Sequence, residues 1–356
     1  MAKNCLQLNE HQIYNKMSNY QFHLGIDMGK IAFTYTVVNK EGKILLEGEV
    51  CNRPAEILTW IKLLSSTFSE VDFWSKTLLC LEHSGYYAFP LLNTLQEHVK
   101  TDIWLESALQ IKRSIGVQRG KSDRIDAVRI ATYSLDFQRK ARLWKPTPRN
   151  IERLGLLISH RDRMVKYLMS LRNTLNEEIG FVNKDLHLEM AELSEGPLEA
   201  LEKAVKEFDA EIEALLKSDE TLARQTEIVK SLPGFGQVIT SKLIQVTQGF
   251  TRLNTPRQLA CFAGVAPFEH SSGTSLKGRT RVSHLANKDL KKMLHLAALV
   301  TIRKGNVMHA YFQRKVAQGK NKMSVINAIR NKLIHILLAC VKNDTIYSKN
   351  YQHSLA

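Results

Sequence analysis

The spacing of apolar residues changes once along this chain, across the proline-containing segment 140–150. Before that segment, short apolar runs are separated by turn residues, which is typical of β-strands alternating with helices. After it, apolar residues recur at steps of three and four, which is typical of packed helices. The sequence therefore predicts an α/β domain, a linker, and then an all-α part.

The first part contains enough elements for one sheet covered by helices. Apolar runs at 22–27, 33–38 and 44–50 are joined by short turns and predict an antiparallel meander. A continuous apolar run at 77–82 is typical of a buried central strand. The remaining pattern predicts helices at 54–68, 89–98 and 123–134 and a short strand at 102–105. We predict an α/β domain over 22–145, preceded by a flexible N-terminus at 1–21.

Four carboxylates occupy positions where α/β domains carry their sites. Asp27 and Glu82 each end an apolar run, and ligand sites in open α/β sheets gather at the carboxyl ends of strands. Asp123 and Asp126 are three positions apart, so they share one face of the predicted helix. Together these oxygen ligands could bind Mg²⁺, which suits phosphate chemistry. Asp123 and Asp126 also fit a helix N-cap and a first-turn acid, so that alternative stays open.

Other charged residues of this part are weaker candidates for a site. Asp102, Glu106 and Asp136 rank below the four acids, because the pattern gives them neither a strand end nor a shared helix face. Lys121 and Arg124 flank Asp123 and are candidate nucleic-acid contacts.

Two helices with a coiled-coil pattern are predicted after the linker. The first has apolar residues at 154, 157, 164, 168, 171 and 175, and the second at 198, 201, 205, 208, 212 and 215. An acidic connection over 182–197 could turn the chain back between them. We therefore predict an antiparallel coiled-coil hairpin over 150–228, or half of a bundle that a second subunit completes.

Positive charge is concentrated in the last third of the chain. The net charge is +15 for the whole chain and +16 for residues 231–356, whereas residues 151–230 carry −6. Such a basic domain attracts a polyanion, and nucleic acid is favoured over an anionic membrane because no basic amphipathic helix with exposed aromatic residues stands out. Five scattered cysteines without a Cys-x-x-Cys pair indicate a reducing compartment. A cytoplasmic location, with no membrane partner, is expected.

The basic part is predicted to be helical, at 229–345, with a short tail at 346–356. Gly234-Phe235-Gly236 lies between two predicted helices and resembles the turn of helix-hairpin-helix modules, which contact DNA phosphates through backbone N–H groups. A helix at 288–303 is predicted to bury Leu290 and Leu294 and to expose Lys288, Lys291, Lys292 and His295. A last long helix is predicted at 323–341.

A pair of serines lies at the centre of this basic part. Ser271 and Ser272 precede Gly273 and are followed by the cations Lys277, Arg279, Arg281, Lys288, Lys291 and Lys292. A serine beside cations could attack a phosphate, and the same residues could equally form a surface loop.

Six short stretches of the chain, taken in order, resemble motifs of the DEDD transposases, the insertion-sequence recombinases related to the Piv DNA invertase. Gly25-Ile26-Asp27, Leu81-Glu82-His83-Ser84-Gly85-Tyr86 and Lys121-Ser122-Asp123-Arg124-Ile125-Asp126-Ala127 resemble the acidic motifs of that family. Leu232-Pro233-Gly234-Phe235-Gly236, Ala263-Gly264-Val265-Ala266-Pro267 and Ser271-Ser272-Gly273 resemble its second domain. The resemblance spans about residues 22–345.

The resemblance implies a RuvC-like, ribonuclease-H-type first domain with Asp27, Glu82, Asp123 and Asp126 as an Mg²⁺-binding tetrad. It implies a catalytic serine in the helical transposase domain, and Ser272 is favoured over Ser271 because the family serine directly precedes the glycine. It also implies three kinds of partner: element-end and target DNA, a structured non-coding guide RNA, and further copies of the chain, from dimer to tetramer. Two alternatives remain, a nuclease or junction resolvase that uses water and a non-enzymatic nucleic-acid-binding protein.

Overall fold

The computed structural model describes residues 20–69, 72–116, 120, 122–272 and 276–348, and it describes side chains for all of these except 269–272 and 276–281. The chain forms two compact units, residues 1–146 and 147–356. The predictions for residues 1–19, Lys121, Gly273 and the end of the tail concern residues outside the described ranges.

The first unit is built on one five-stranded sheet with the order β3-β2-β1-β4-β5. The strands β1, β2 and β3 form an antiparallel meander, while β4 runs parallel to β1 and β5 runs parallel to β4. The predicted meander and the predicted buried strand are therefore confirmed. The strands span Phe22–Met28, Ala32–Asn39, Ile44–Cys51, Thr77–Glu82 and Asp102–Glu106.

Helices cover both faces of this sheet. They are α1 (Pro54–Thr67), α2 (Phe89–His98), α3 (Ala108–Ile115) and α4 (Asp123–Phe137). Leu24 and Ile26 of β1 pack on one face in a cluster with residues of α1 and α2, whereas Leu78 and Cys80 of β4 pack in a cluster with residues of α3 and α4. Tyr20 is buried and its hydroxyl donates a hydrogen bond to Asp102 at 2.6 Å, so the residue before β1 also belongs to this unit.

Helix α4 lies directly against β1 because Gly25 has no side chain. A Cβ atom at Gly25 would lie 2.2 Å from the backbone nitrogen of Ala131 and 2.4 Å from the carbonyl oxygen of Ala127. Both are backbone atoms of α4, so neither can rotate away. The close approach also lets His23 Nδ1 form a hydrogen bond with Ser134 Oγ at 3.0 Å.

We expect Gly25→Ala to destabilise the first unit by roughly 3 kcal/mol or more, because the added methyl group displaces the whole helix. All four tryptophans lie in residues 1–146, so tryptophan fluorescence during urea unfolding reports this unit alone. Gly155→Ala is the control, since its Cβ would meet only the Gln245 side chain, at 3.4 Å, in the other unit. Equal tryptophan midpoints for both variants would contradict the expectation.

Burial lowers the pKa of His23 to about 4, and its imidazole is fully buried with Nε2 lacking a partner. Between pH 4 and 6.5 the unfolded chain binds a proton here and the folded chain does not, so stability falls as the pH falls through that range. We expect the wild type to lose about 3 kcal/mol more than His23→Gln between pH 7 and pH 4. Urea midpoints from tryptophan fluorescence at each pH measure this, and parallel curves for the two proteins would rule it out.

The second unit opens with two long helices, α5 (Arg149–Glu178) and α6 (Lys184–Lys217), which pair in antiparallel fashion. Ion pairs join Arg153 to Glu211 at 2.8 Å and Arg161 to Asp209 at 2.6 Å. The predicted connection over 182–197 is wrong, because the turn is confined to residues 179–183 and α6 runs through Pro197. Contacts between the two helices occur on both sides of Pro197: His187 Nδ1 lies 3.5 Å from Glu178 Oε2, and an ion pair joins Arg172 to Glu202.

The near ends of this pair enter the core of the second unit, together with the helices that follow. Ile151, Leu154, Ile212 and Leu215 are buried in one cluster with α7 (Glu220–Ser231), α8 (Gln237–Thr247), α9 (Pro256–Phe262), α10 (Lys288–Thr301) and α12 (Lys322–Lys342). Between α10 and α12 lies α11 (His309–Ala317). Among the described helices, α12 alone is long and apolar enough to cross a membrane, but half of its apolar stretch is buried in this core.

Candidate active site

Two of the four predicted acids lie side by side at the carboxyl edge of the sheet. Ile26 of β1 pairs with Leu81 of β4 in parallel register, so Asp27 and Glu82 are the next residues on neighbouring strands. Neighbouring strands are about 4.8 Å apart. Side chains alternate between faces along a strand, so Asp27 shares the α4 face with His23 and Gly25.

The other two acids begin the helix that covers this face. Because β1 and α4 run in opposite directions, with His23 beside Ser134 and Gly25 beside Ala127, the start of α4 lies towards the end of β1. Asp123 and Asp126 stand one turn before the buried residues Ala127 and Ile130 and continue the same stripe. The sheet register and the helix approach therefore place all four acids at one edge and on one face.

The helix cap settles one of the open alternatives. Ser122 is the N-cap of α4, and its hydroxyl accepts a hydrogen bond from the Ile125 N–H at 3.3 Å. Asp123 is therefore the first helical residue and not the cap. Asp126 lies in the first turn, and its Oδ1 is 2.8 Å from Nη1 of Arg129.

A fifth carboxylate, Glu106, lies at the same edge and was ranked too low from the sequence. It ends β5 and pairs with Glu82 in register. Its oxygens accept hydrogen bonds from the Ser107 N–H at 2.7 Å and from the Tyr133 hydroxyl at 3.3 Å. Glu82 lies two positions after Cys80 on β4, so both carboxylates share its face of the sheet, and burial, then Glu106 and then Glu82 raise the pKa of the Cys80 thiol. The signal that would have found Glu106 is the end of the strand at 102–106.

The donor chemistry and the placement of the four acids suit Mg²⁺, which takes oxygen ligands. The four carboxylates do not converge on one point. Among the described residues, no group of three or more His, Cys, Asp or Glu is arranged to hold a metal ion. The contact of Asp126 with Arg129 accounts for part of this dispersal. Metal binding through Asp126 requires that carboxylate to leave or share the guanidinium of Arg129.

The predicted serines lie at the end of a strand in the second unit. Strand β6 (Pro267–Ser272) pairs with β7 (Leu276–Val282) in an antiparallel hairpin that the sequence pattern did not predict. Ser271 is opposite Lys277 and Ser272 is opposite Leu276. Lys277, Arg279 and Arg281 recur at every second position of β7.

The remaining predicted cations differ in their contacts and in their exposure. Arg124 is bound to Glu47 of β3, with Nε donating to Oε2 at 2.9 Å, and this contact raises the pKa of the guanidinium. On α10, Lys288 and Lys292 are exposed as predicted. The prediction is wrong for Lys291 and His295, which are half-buried, because α12 packs against α10.

The sheet order of the first unit and the positions of its four acids are consistent with one class of domain, the RuvC-like DEDD domain. Comparison with protein families matches residues 24–179 to an IS110-type DEDD transposase model and residues 226–313 to the transposase IS116/IS110/IS902 family. The first match covers all four acids and the second covers Ser272. The chain belongs to the IS110 family of DEDD transposases.

Individual relatives agree with this assignment. The chain is 24% identical to the pilin gene-inverting protein of Moraxella bovis over 295 residues, which cover 79% of this chain and 88% of that protein. It is 24% identical to the protein of the same name from Moraxella lacunata, over 67% of this chain and 70% of that protein. It is 30% identical to the insertion element IS110 43.6 kDa protein of Streptomyces coelicolor, over 42% of this chain and 36% of that protein.

Proposed function

We propose that this chain cleaves and rejoins DNA strands as the transposase of an insertion sequence, with Ser272 as the nucleophile. The observation that carries the proposal is the placement of Asp27, Glu82, Asp123 and Asp126 at one edge and on one face of the sheet. Strand register and the close approach of α4 at Gly25 produce that placement from three separate elements. Relatives named for inverting a pilin gene support strand exchange over simple hydrolysis.

Asp27, Glu82, Asp123 and Asp126 would hold Mg²⁺ in this proposal. When bound, the ion supplies polarisation of the phosphate and stabilises the charge on the leaving oxygen. Carboxylates held near one another otherwise repel. Arg129 offsets part of that repulsion at Asp126, with Nη1 to Oδ1 at 2.8 Å.

The serine step conserves the energy of the phosphodiester. The Ser272 oxygen bonds to phosphorus, the bond from phosphorus to one deoxyribose oxygen breaks, and that hydroxyl leaves with the proton that the serine gives up. Reversal by a hydroxyl from another strand restores a phosphodiester and frees the serine, so strands are exchanged without ATP. A serine hydroxyl is a weak nucleophile, so this step needs activation of the hydroxyl.

The basic part of the second unit would hold the DNA. Lys277, Arg279 and Arg281 on β7 and Lys288, Lys291 and Lys292 on α10 are proposed phosphate contacts. Gly234 has a positive φ of 84° between α7 and α8, which suits a helix-hairpin-helix-like turn. In the first unit, Lys121 and Arg124 are further proposed contacts, and Arg124 would have to share its bond to Glu47.

The resemblance to the family supports two further partners. One is a structured guide RNA that pairs with element-end and target DNA in the bacterial cytoplasm. The other is a second copy of the chain, because the far end of the α5–α6 pair exposes apolar side chains that a partner helix pair could cover. Its most exposed apolar side chains are those of Phe181, Leu193 and Ile179, at 91%, 68% and 60%.

The test is a product analysis with the protein co-expressed with the DNA that flanks its coding region. Labelled element-end duplex carrying a nick is incubated with the purified complex and Mg²⁺, then separated under denaturing conditions with and without protease. A labelled band that moves with the protein and shifts on proteolysis is expected. Cut ends without such a band would instead identify a hydrolysing nuclease.

A further inference from the structure

A basic groove in the second unit extends beyond the contacts proposed on β7 and α10 and shares only Lys291 with them. Its volume is about 1920 Å³, and it runs along α12 and α11 to the base of the β6–β7 hairpin, where Pro267 and Val282 line it. Lys291, Lys320, Arg330 and Lys332 also line it, and none of the described lining residues is acidic. The hairpin that carries Ser272 therefore rises from one end of a cationic groove.

Arg330 lies at the wall of this groove and has no counter-ion among the described side chains. Its side chain is 7% exposed, and its one described hydrogen bond runs from Nη2 to His295 Nδ1 at 2.5 Å. Its Nε atom is buried without a partner, and no described carboxylate lies within ion-pair distance. Burial lowers the pKa of the Arg330 guanidinium, which shows that its charge is held against a desolvation cost.

A buried guanidinium of this kind is costly unless an anion reaches it. The planar guanidinium matches the oxygens of a phosphate, and the bond to His295 orients it within the groove. Asn331, also on the groove wall, has a buried Oδ1 without a partner. The Arg330 guanidinium offers donors to a phosphate oxygen, whereas Asn331 Oδ1 is itself an acceptor and needs a donor group of the ligand.

We propose that this groove binds the DNA strand that Ser272 cleaves, and that Arg330 binds one of its backbone phosphates. The inference rests on the proposed function for the identity of the strand. From Pro267 at the groove to Ser272 is five residue steps of β6, or roughly 17 Å. That is about five nucleotides at B-form rise, so the groove would hold backbone phosphates about five nucleotides from the cleaved one.

The test measures DNA binding and folding stability on the same variant. Arg330→Met is expected to weaken binding of a fluorescein-labelled element-end duplex about ten-fold by anisotropy, and to reduce the salt dependence of log K by about one ion. Without DNA, its unfolding midpoint by circular dichroism is expected to stay level or rise, because a desolvated charge is removed. Arg257→Met is the control, since Arg257 is exposed on α9 outside the groove and carries the same charge.

Three results would overturn the inference. A lower unfolding midpoint of Arg330→Met with unchanged DNA affinity would make Arg330 a structural residue. If the methionine variant fails to fold, the same two measurements are made on Arg330→Lys, which keeps the charge. An equal loss for Arg257→Met would indicate general electrostatics. If Arg330→Met loses as much or more affinity for RNA of the same sequence as for DNA, the groove is assigned to RNA. Binding is measured without cleavage, so the two proposals can fail separately. If the wild type forms no covalent product while Arg330→Met loses DNA affinity, Ser272 is not the nucleophile and the assignment of the groove to DNA is retained.

Discussion

Ser272→Ala is expected to abolish the covalent protein–DNA product and to slow strand cleavage by at least about 10³-fold, while DNA binding stays within about two-fold of the wild type. The reason is that the substitution removes only the oxygen that would bond to phosphorus. Cleavage and adduct formation on nicked element-end DNA, together with anisotropy on the same DNA, measure the two effects. Retained affinity shows that the hairpin and the basic groove are intact.

Ser271→Ala is the matched control, because it removes the same atom one position earlier in β6. It is expected to keep cleavage within a few-fold of the wild type. If Ser272→Ala still exchanges strands and Ser271→Ala does not, the nucleophile is Ser271. If both variants are active, the chain uses water or another hydroxyl.

Asp27→Asn is expected to reduce Mg²⁺-dependent cleavage by at least about 10³-fold, because an amide cannot supply the charge that the ion requires at the centre of the edge. Asp27 follows Ile26 on β1 and lies beside Glu82 on the neighbouring strand. A readout independent of catalysis is the Mg²⁺-induced rise in the tryptophan unfolding midpoint of the first unit. The Mg²⁺ concentration for half of that rise is expected to increase at least ten-fold, by loss of one charged ligand.

Asp136→Asn is the control for this second prediction. Asp136 is an exposed acid near the other end of α4, so the same chemical change occurs on the same unit away from the edge. Its cleavage rate and its Mg²⁺ response are expected to match the wild type. An Asp27→Asn protein with an unaltered Mg²⁺ response would separate Asp27 from the metal, whatever its activity.

Elements with strong local patterns were predicted closely. The strand Thr77–Glu82 and the helix Phe89–His98 have the bounds that their apolar runs and turn residues indicate. Helix α9 begins after Thr255, which caps it through a complete capping box, with Pro256 as the first helical residue. In each case the local pattern and the tertiary environment favour the same structure, so short-range reasoning suffices.

Elements whose residues are mostly exposed were missed. Helix α3 has one buried residue, Ile111, and α11 has none, so both are short surface helices that bury few apolar side chains. The β6–β7 hairpin is rich in cations and serines, and its pairing rather than its apolar pattern defines it. The turn lies at 179–183, earlier and shorter than the acidic connection that the sequence predicts over 182–197, and α6 continues through Pro197 with contacts to α5 on both sides of it.

The amino-acid sequence alone determined which residues can do chemistry in this protein: the order of Asp27, Glu82, Asp123, Asp126 and Ser272, and the excess of cations that follows. Tertiary structure decided which of them share an edge, that Glu106 joins them, and that Arg330 is buried without a described carboxylate partner. The physical reason is that charge and periodicity are carried by each residue and its neighbours. The meeting of β1, β4 and α4, and of α10 with α12, depends instead on strand register and on the close approach of helices that are distant in the chain.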